Sequence, residues 1–163
     1  MVVEALHIRH AEPSDYQPII SVVNDWWDGR NMSDMLPKLF FIHFRETSFV
    51  AESSGKIVGF LIGFLSQTFQ DEAYIHFAGV HPHYRKMGLG RALYERFFEV
   101  ARNLGRTVVR CVTSPVNKGS IAFHLRMGFS IERSKTIVEG ISFAKNYDGH
   151  GGNRVLFFKT LNR

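Results

Sequence analysis

A mixed β-sheet flanked by helices, the α/β (α+β) class, is the fold this 163-residue sequence predicts. Three observations carry that expectation. Short β-type apolar runs recur along the chain, two of them joined directly at Ser54-Gly55 as a hairpin. One stretch repeats apolar residues at helical spacing, at Leu89, Leu93, Phe97, Val100 and Leu104, while Arg91, Glu95, Glu99 and Arg102 take other faces. The full order, β-α-α-β-β-β-α-β-α-β-β, combines hairpins with two crossovers, which requires both antiparallel and parallel pairing.

The elements follow in order. Leu6 and Ile8 alternate with polar neighbours and read as a strand. Ser14 and Asp15 stand as caps before Ile19, Ile20, Val23 and Trp26, whose spacing predicts a helix. WWDGRNMSD carries turn residues and reads as a loop, and MLPKLFFIHF as a short helix ending near Arg45. SFVAES and KIVGFLIGFL are the hairpin strands, and AYIHFAGV, residues 73–80, is a third run halted by Pro82. The long helix begins near Gly88 and closes at Gly105. TVVRCVT is a strand, and SIAFHLRMGF a short helix ended by Gly128. A strand near residues 130–138, a glycine-rich loop YDGHGG and a last strand RVLFFKTL complete the chain, with no repeat or low-complexity segment.

Size and a hydrophobic content of 45% suit one well-filled domain over residues 1–163. The charge of +5 is spread without a run of like sign, and no element interleaves aromatic and basic residues, so an anionic small ligand is expected and a nucleic-acid partner is not. The longest apolar stretch, IVGFLIGFL, is less than half of the ~20 residues a membrane span needs. MVVEALHIRH lacks the basic-then-apolar order of a signal peptide. A soluble cytoplasmic protein with no membrane partner is the expectation. The single cysteine, Cys111, excludes an internal disulfide and a CxxC motif, and reads as a small core residue. His81 and His83 form an H-x-H pair and DGH supplies Asp148 and His150, but no acid or cysteine stands at ligand spacing from the pair, so no metal site is expected.

The chemistry concentrates in RKMGLGRALYERF, residues 85–97. A strand, a basic turn and a helix start form a β-loop-α unit, and the free N–H groups of a helix start, with the positive end of its dipole, make an anion site. Gly88 and Gly90 leave the amides open to phosphate oxygens, and Arg85, Lys86 and Arg91 add charge, which points to a diphosphate. A P-loop is absent, and a dinucleotide GxGxxG fails because its third glycine is Leu93 here, with Arg110 where an acid is expected. The other reading of these residues is a helix capped by turn glycines with solvated basic side chains.

VHPHYRKMGLGRAL, with R-x-x-G-x-G from Arg85 to Gly90, resembles the acetyl-CoA signature of the GNAT superfamily of N-acetyltransferases. NKGSIAFHLRMGF, residues 117–129, resembles that family's second segment, N-x-x-(S/A)-x-x-x-(Y)-x-x-x-G-F. The resemblance covers roughly residues 47–129. It implies a mostly antiparallel sheet of six to seven strands with about four helices and splayed parallel strands at the centre. It implies acetyl-CoA as co-substrate, no metal, and direct transfer to a primary amine of a small molecule or amino-acid-like metabolite, and it leaves a homodimer open. In such proteins the pantetheine arm lies against the strand ending here in Ala78, Gly79 and Val80. The pyrophosphate sits on the amides of Met87, Gly88, Leu89, Gly90 and Arg91, with Arg85 and Lys86 beside it. Asn117 is implied to touch the pantetheine arm, and is equally placed to cap the following helix.

Two departures bear on catalysis. The family's proton-donating tyrosine, four residues before the second glycine, is His124 here. Its imidazole titrates near ~6.5 and is either the acid for the thiolate or a packed, hydrogen-bonded core histidine. The family's glutamate base is Tyr74 here. Glu72 and His76 share its strand parity, so either could face the cleft as a water-relayed base, or be a rim charge or a satisfied histidine. Trp27 and Arg30 in the aromatic-polar loop, together with Tyr74, are the candidate acceptor contacts, and Arg30 favours an acceptor carrying a carboxylate. YDGHGG is a lid over that cleft or a plain hairpin connection. These departures leave a non-catalytic acyl-CoA-binding or sensing domain as the alternative.

Overall fold

The computed structural model describes residues 6–162. The expected single unit over residues 1–163, and the MVVEA part of the leader reading, therefore run outside the described residues. Nine strands are seen: β1 Leu6–His10, β2 Phe49–Ser53, β3 Lys56–Leu65, β4 Glu72–Val80, β5 Val108–Thr113, β6 Ser130–Ile131, β7 Thr136–Val138, β8 Ile141–Phe143 and β9 Val155–Thr160. Five α-helices join them: α1 Tyr16–Ile20, α2 Val23–Trp26, α3 Leu39–His43, α4 Leu89–Asn103 and α5 Lys118–Arg126. Seven strands form one sheet in the order β1-β2-β3-β4-β5-β9-β6, antiparallel except where β4 meets β5, and β7-β8 is a separate hairpin. Among the described residues no helix is long and apolar enough to cross a membrane.

Each face of the sheet has its own core. On one, Leu89, Leu93, Phe97 and Phe98 of α4 and Ile121 of α5 pack on Phe49, Leu61, Ile75, Val109 and Phe157. On the other, Ile19, Val23, Trp26 and Phe41 cover Val50, Phe60, Ile62 and Phe77. The α4 helix lies close because Gly63 presents bare backbone to the Phe97 ring, where a Cβ would have no room. Cys111 is buried in the first core, and burial pushes its thiol pKa up, which leaves it unreactive at neutral pH.

The hairpin at Ser54-Gly55 forms as read, both residues taking positive φ (50° and 77°) as a tight two-residue turn requires. Four readings change. The expected helix through Trp26 breaks after Ile20, where the Ser21 hydroxyl bonds back to the Pro18 carbonyl at 3.0 Å and Val22 N–H turns to Ile19. Ser14 and Asp15 do not cap it from outside. Glu12 caps the preceding turn, the Asp15 carboxylate accepts the Glu12 N–H at 2.7 Å, and Arg9 clamps the same buried carboxylate at 2.8 Å. The second helix is confined to α3 because Pro37 forces Leu36 out of helical φ/ψ (−130°, 63°). The strand expected over residues 130–138 is two pieces. Ser130–Ile131 pairs with β9, while Thr136–Val138 folds onto β8, unforeseen from the sequence, across a Glu139-Gly140 turn with φ of 52° and 79°.

Candidate functional site

The site begins where the two parallel strands part. β4 and β5 pair only at Glu72–Val108, Ala73–Val109 and Tyr74–Arg110. β4 then continues to Val80 bonded to β3 alone, while β5 stays with β9. A bulge at this point helps turn the strand: Ile62 pairs with Phe77 and Gly63 with Ile75, leaving His76 as an extra residue. The wedge between the strands opens into three adjoining cavities.

The first, about 370 Å³, lies at the α4 N-terminus and is lined by Val80, Arg85, Lys86, Gly88, Gly90 and Phe123 among others. Lys86 and Gly88 take left-handed φ (63° and 82°), and this alternation turns successive backbone N–H groups of the turn toward one side. The first turn of α4 has no intrahelical acceptors for its N–H groups, so they are free for an anion. A Cβ added at Gly90 would meet only Phe123 at 3.4 Å and Val80 at 3.9 Å, so the fold itself does not need a glycine there. The bare position widens the groove instead. Of the expected basic groups, Arg91 forms an exposed pair with Glu95 at 3.5 Å. Arg85 turns inward, its guanidinium donating to the carbonyls of Val80 and Trp26, which fixes the loop after α2 against the end of β4.

The second cavity, about 440 Å³, runs along Ala78, Gly79 and Val80 and is closed by Tyr94, Asn117, Phe123 and His124. Asn117 caps α5, its Oδ1 accepting the Ser120 N–H at 3.1 Å, and also lines this cavity, so the cap and cleft positions coexist. Trp27 lies over Gly79 and stacks on Phe77, with centroids 5.0 Å apart. His124 is buried at 6% exposure, with Nδ1 2.7 Å from the Ser120 carbonyl and Nε2 2.9 Å from the Tyr94 hydroxyl. Burial lowers its pKa despite the bond to Ser120, and burial raises that of Tyr94, so both rest neutral.

The third cavity, also about 440 Å³, continues past Ala78 to Tyr74, His76, Trp27 and Arg30, with Asp148 and Arg154 on its far wall. Asp148 and Arg154 pair at 2.8 Å. The second and third cavities share Trp27, Arg30, Ala78, Tyr94, Asn117, Ser120 and His124, and the first and second share Val80, Arg85, Gly90 and Phe123, so the three form one continuous cleft. A larger apolar groove, about 630 Å³, lies between α5 and the β7–β8 hairpin. Its one carboxylate, Glu139, is matched by Lys118 at 3.7 Å, which leaves that groove no catalytic group.

The expected equivalence of Glu72, Tyr74 and His76 fails at Glu72, although the three keep the same strand parity, because Glu72 lies in the first rung where β5 still pairs with β4. Tyr74 and His76 line the third cavity and Glu72 does not. Glu72 is held by Arg110 Nε at 2.8 Å in the zipped part of the strands. His76 stacks on Phe40 at 4.5 Å and bonds the Met35 carbonyl through Nε2. Tyr94 and Arg154 belong to the cleft with no role expected from the sequence, and Asp148, within the YDGHGG segment read as a lid or a hairpin connection, lines it as well. For Tyr94 a signal existed, a hydroxyl on the apolar face of the phosphate-motif helix, which needs a partner once buried. His81 and His83 are bonded to each other, the His81 ring nitrogen accepting the His83 N–H at 3.0 Å. Among the described residues no three His, Cys, Asp or Glu side chains cluster as metal ligands.

A split parallel pair over a glycine-turned helix start is the architecture that the chain presents. The family model described as Acetyltransferase (GNAT) family matches residues 9–129, and the chain belongs to that family. It is 38% identical over 96 residues to an uncharacterized N-acetyltransferase of Methanocaldococcus jannaschii, a match covering 56% of this chain and 41% of that protein. It is 35% identical over 79 residues to L-2,4-diaminobutyric acid acetyltransferase of Nocardia farcinica, covering 48% and 41%. The matches thus span about two-fifths of the length of these curated relatives. The crystal structure of Ard1 from Thermoplasma volcanium superposes with a TM-score of 0.78 at 23% identity, covering 98% of this chain and 99% of that one, which establishes the shared fold.

Proposed function

We propose that this chain is an acetyl-CoA-dependent N-acetyltransferase that acylates a primary amine of a small, amino-acid-like metabolite by direct transfer in a ternary complex. The observation that carries it is the continuous cleft, which joins an anion site at the α4 start to a charged pocket past the free edge of β4. The residues present fit the co-substrate. The amides of residues 87–91 and Lys86 would take its diphosphate, and the edge of residues 78–80 that β5 leaves open, apart from the Val80 carbonyl bonded by Arg85, its pantetheine amides. Bound there, it would supply an activated acetyl thioester at the junction of the second and third cavities.

The protein's own work is then positional and electrostatic. Holding an amine against the thioester carbon replaces a bimolecular encounter, so no covalent enzyme intermediate is needed. A backbone N–H of the 78–80 edge is suited to the oxyanion. Arg30 and the Asp148–Arg154 pair offer charge of both signs to an acceptor that bears a carboxylate and an ammonium group. The Nocardia relative's named acceptor, a diamino acid, has that chemistry, which supports the amino-acid-like reading.

A silent acyl-CoA-binding domain is the second reading, favoured by the engagement of Glu72 with Arg110 and of His76 with the Met35 carbonyl. A coenzyme A release screen over amines, led by L-2,4-diaminobutyrate, separates the two. Amine-dependent release supports transfer, and acetyl-CoA affinity without release for any amine supports the silent domain.

A further inference from the structure

At the junction of the cofactor and acceptor cavities lies a pair of titratable side chains bonded directly to each other. The Tyr94 hydroxyl and the His124 Nε2 are 2.9 Å apart, and both side chains line the second and third cavities. Their hydrogens can be assigned from their neighbours. Two groups of Ser120 face His124 Nδ1, the hydroxyl at 3.2 Å and the carbonyl at 2.7 Å; the closer carbonyl can only accept and would repel a lone pair, so Nδ1 carries the hydrogen. Nε2 of the neutral ring is then a lone pair, and Tyr94 donates to it. The Tyr94 oxygen keeps lone-pair capacity toward the cleft. The pair is held rigidly: His124 stacks on Phe157 at 4.7 Å and 18°, and Phe123 and Phe129 meet its edges at 5.4 and 5.3 Å.

We propose that Tyr94 and His124 form a proton shuttle that takes the proton of the attacking amine and delivers it to the departing sulfur. The inference rests on the acetyltransferase reading and deepens it. As the amine nitrogen bonds to the thioester carbon, the carbonyl π pair moves to oxygen. The nitrogen then releases a proton to the Tyr94 oxygen while the original Tyr94 hydrogen passes to His124 Nε2. The imidazolium so formed keeps Nδ1–H on the Ser120 carbonyl. When the carbonyl reforms, the C–S bond breaks with its electron pair on sulfur. His124 Nε2 returns its proton to Tyr94 and Tyr94 passes one to sulfur, giving the amide, a thiol and both side chains as they began. No further reactant is consumed, and one pair serves as both base and acid, which explains why Glu72 can be spent on Arg110. Tyr94 is the catalytic residue and His124 acts through it.

The test uses the full chain with acetyl-CoA and L-2,4-diaminobutyrate, or whichever amine the release screen identifies. Tyr94→Phe keeps the ring and should lower kcat by about 100-fold or more with the KM for acetyl-CoA within about threefold. His124→Gln should do the same, and the double variant should fall no further than either single one, because the two act as a unit. In the wild-type protein, 15N NMR of the imidazole should report the Nδ1–H tautomer. A Tyr94→Phe variant with kcat within about threefold of wild type, or an Nε2–H tautomer, overturns the shuttle and leaves the acetyltransferase reading standing. A wild-type protein whose release of coenzyme A no amine accelerates overturns both.

Discussion

Tyr74 stands opposite Arg110 in the last rung joining the two parallel strands of the sheet. Beyond it β4 runs on to Val80 with its second edge unpaired by β5, and the separation is anchored from below by the Arg110–Glu72 ion pair at 2.8 Å. Unpaired backbone donors and acceptors inside a cleft carry an energetic cost unless a ligand or water satisfies them, so the split is itself an argument for an amide-bearing ligand.

The anion site is probed at Gly90. Its Cβ direction is open toward Phe123, so Gly90→Ala should leave Tm nearly unchanged while narrowing the groove and weakening acetyl-CoA binding, whereas Gly90→Glu puts a carboxylate into the groove. The glutamate variant should lose at least about 100-fold in affinity, or about 2.7 kcal/mol, by calorimetry, with the circular dichroism spectrum intact.

The wall of the cleft is probed at Gly79. A Cβ there would sit 2.7 Å from the Trp27 ring and 2.8 Å from Phe60, so Gly79→Ala should destabilise the fold by about 1–3 kcal/mol in denaturant melts. Adding Trp27→Leu should recover part of that loss, since it removes one of the two obstructing rings.

His124 imposes a pH signature on stability. Burial holds its folded pKa below the unfolded value of about 6.5, so the unfolded chain takes up the proton first as pH falls. The contribution of the neutral ring is therefore complete above that value and is lost as pH drops toward the folded pKa. Thermal melts of wild type and His124→Gln between about pH 7.5 and about pH 5 should show the wild type losing more Tm on acidification.

Acceptor recognition is probed at Arg30, an exposed side chain on the cavity wall. Arg30→Gln should raise the KM for an amino-acid acceptor about tenfold, or about 1.4 kcal/mol, and more than it raises the KM for acetyl-CoA, since Arg30 also borders the second cavity. An acceptor lacking a carboxylate should show no difference.

The legible parts of this protein are those written in local pattern. The α4 helix and the Ser54-Gly55 hairpin follow from spacing and turn residues, and the turn that opens α4 from glycines placed after a strand. The rung at which β4 and β5 part has no such mark, because strand pairing is set by the whole sheet, and it is what keeps Glu72 beside Arg110 and outside the cleft. The broken first helix and the β7–β8 hairpin turn on short-range hydrogen bonding that apolar periodicity does not record. The Tyr94–His124 bond and the Asp148–Arg154 pair join positions far apart or across a loop, so only the folded chain brings them to the cleft. His124 was legible as a departure from the family pattern, but its partner was not.

The account depends on where a diphosphate settles, and a crystal structure of the full chain with coenzyme A measures that most directly. It predicts the two phosphorus groups within hydrogen-bonding reach of the amides of residues 87–91, with the pantetheine arm along residues 78–80. Phosphates bound away from that turn, or an arm outside the gap between β4 and β5, would contradict it.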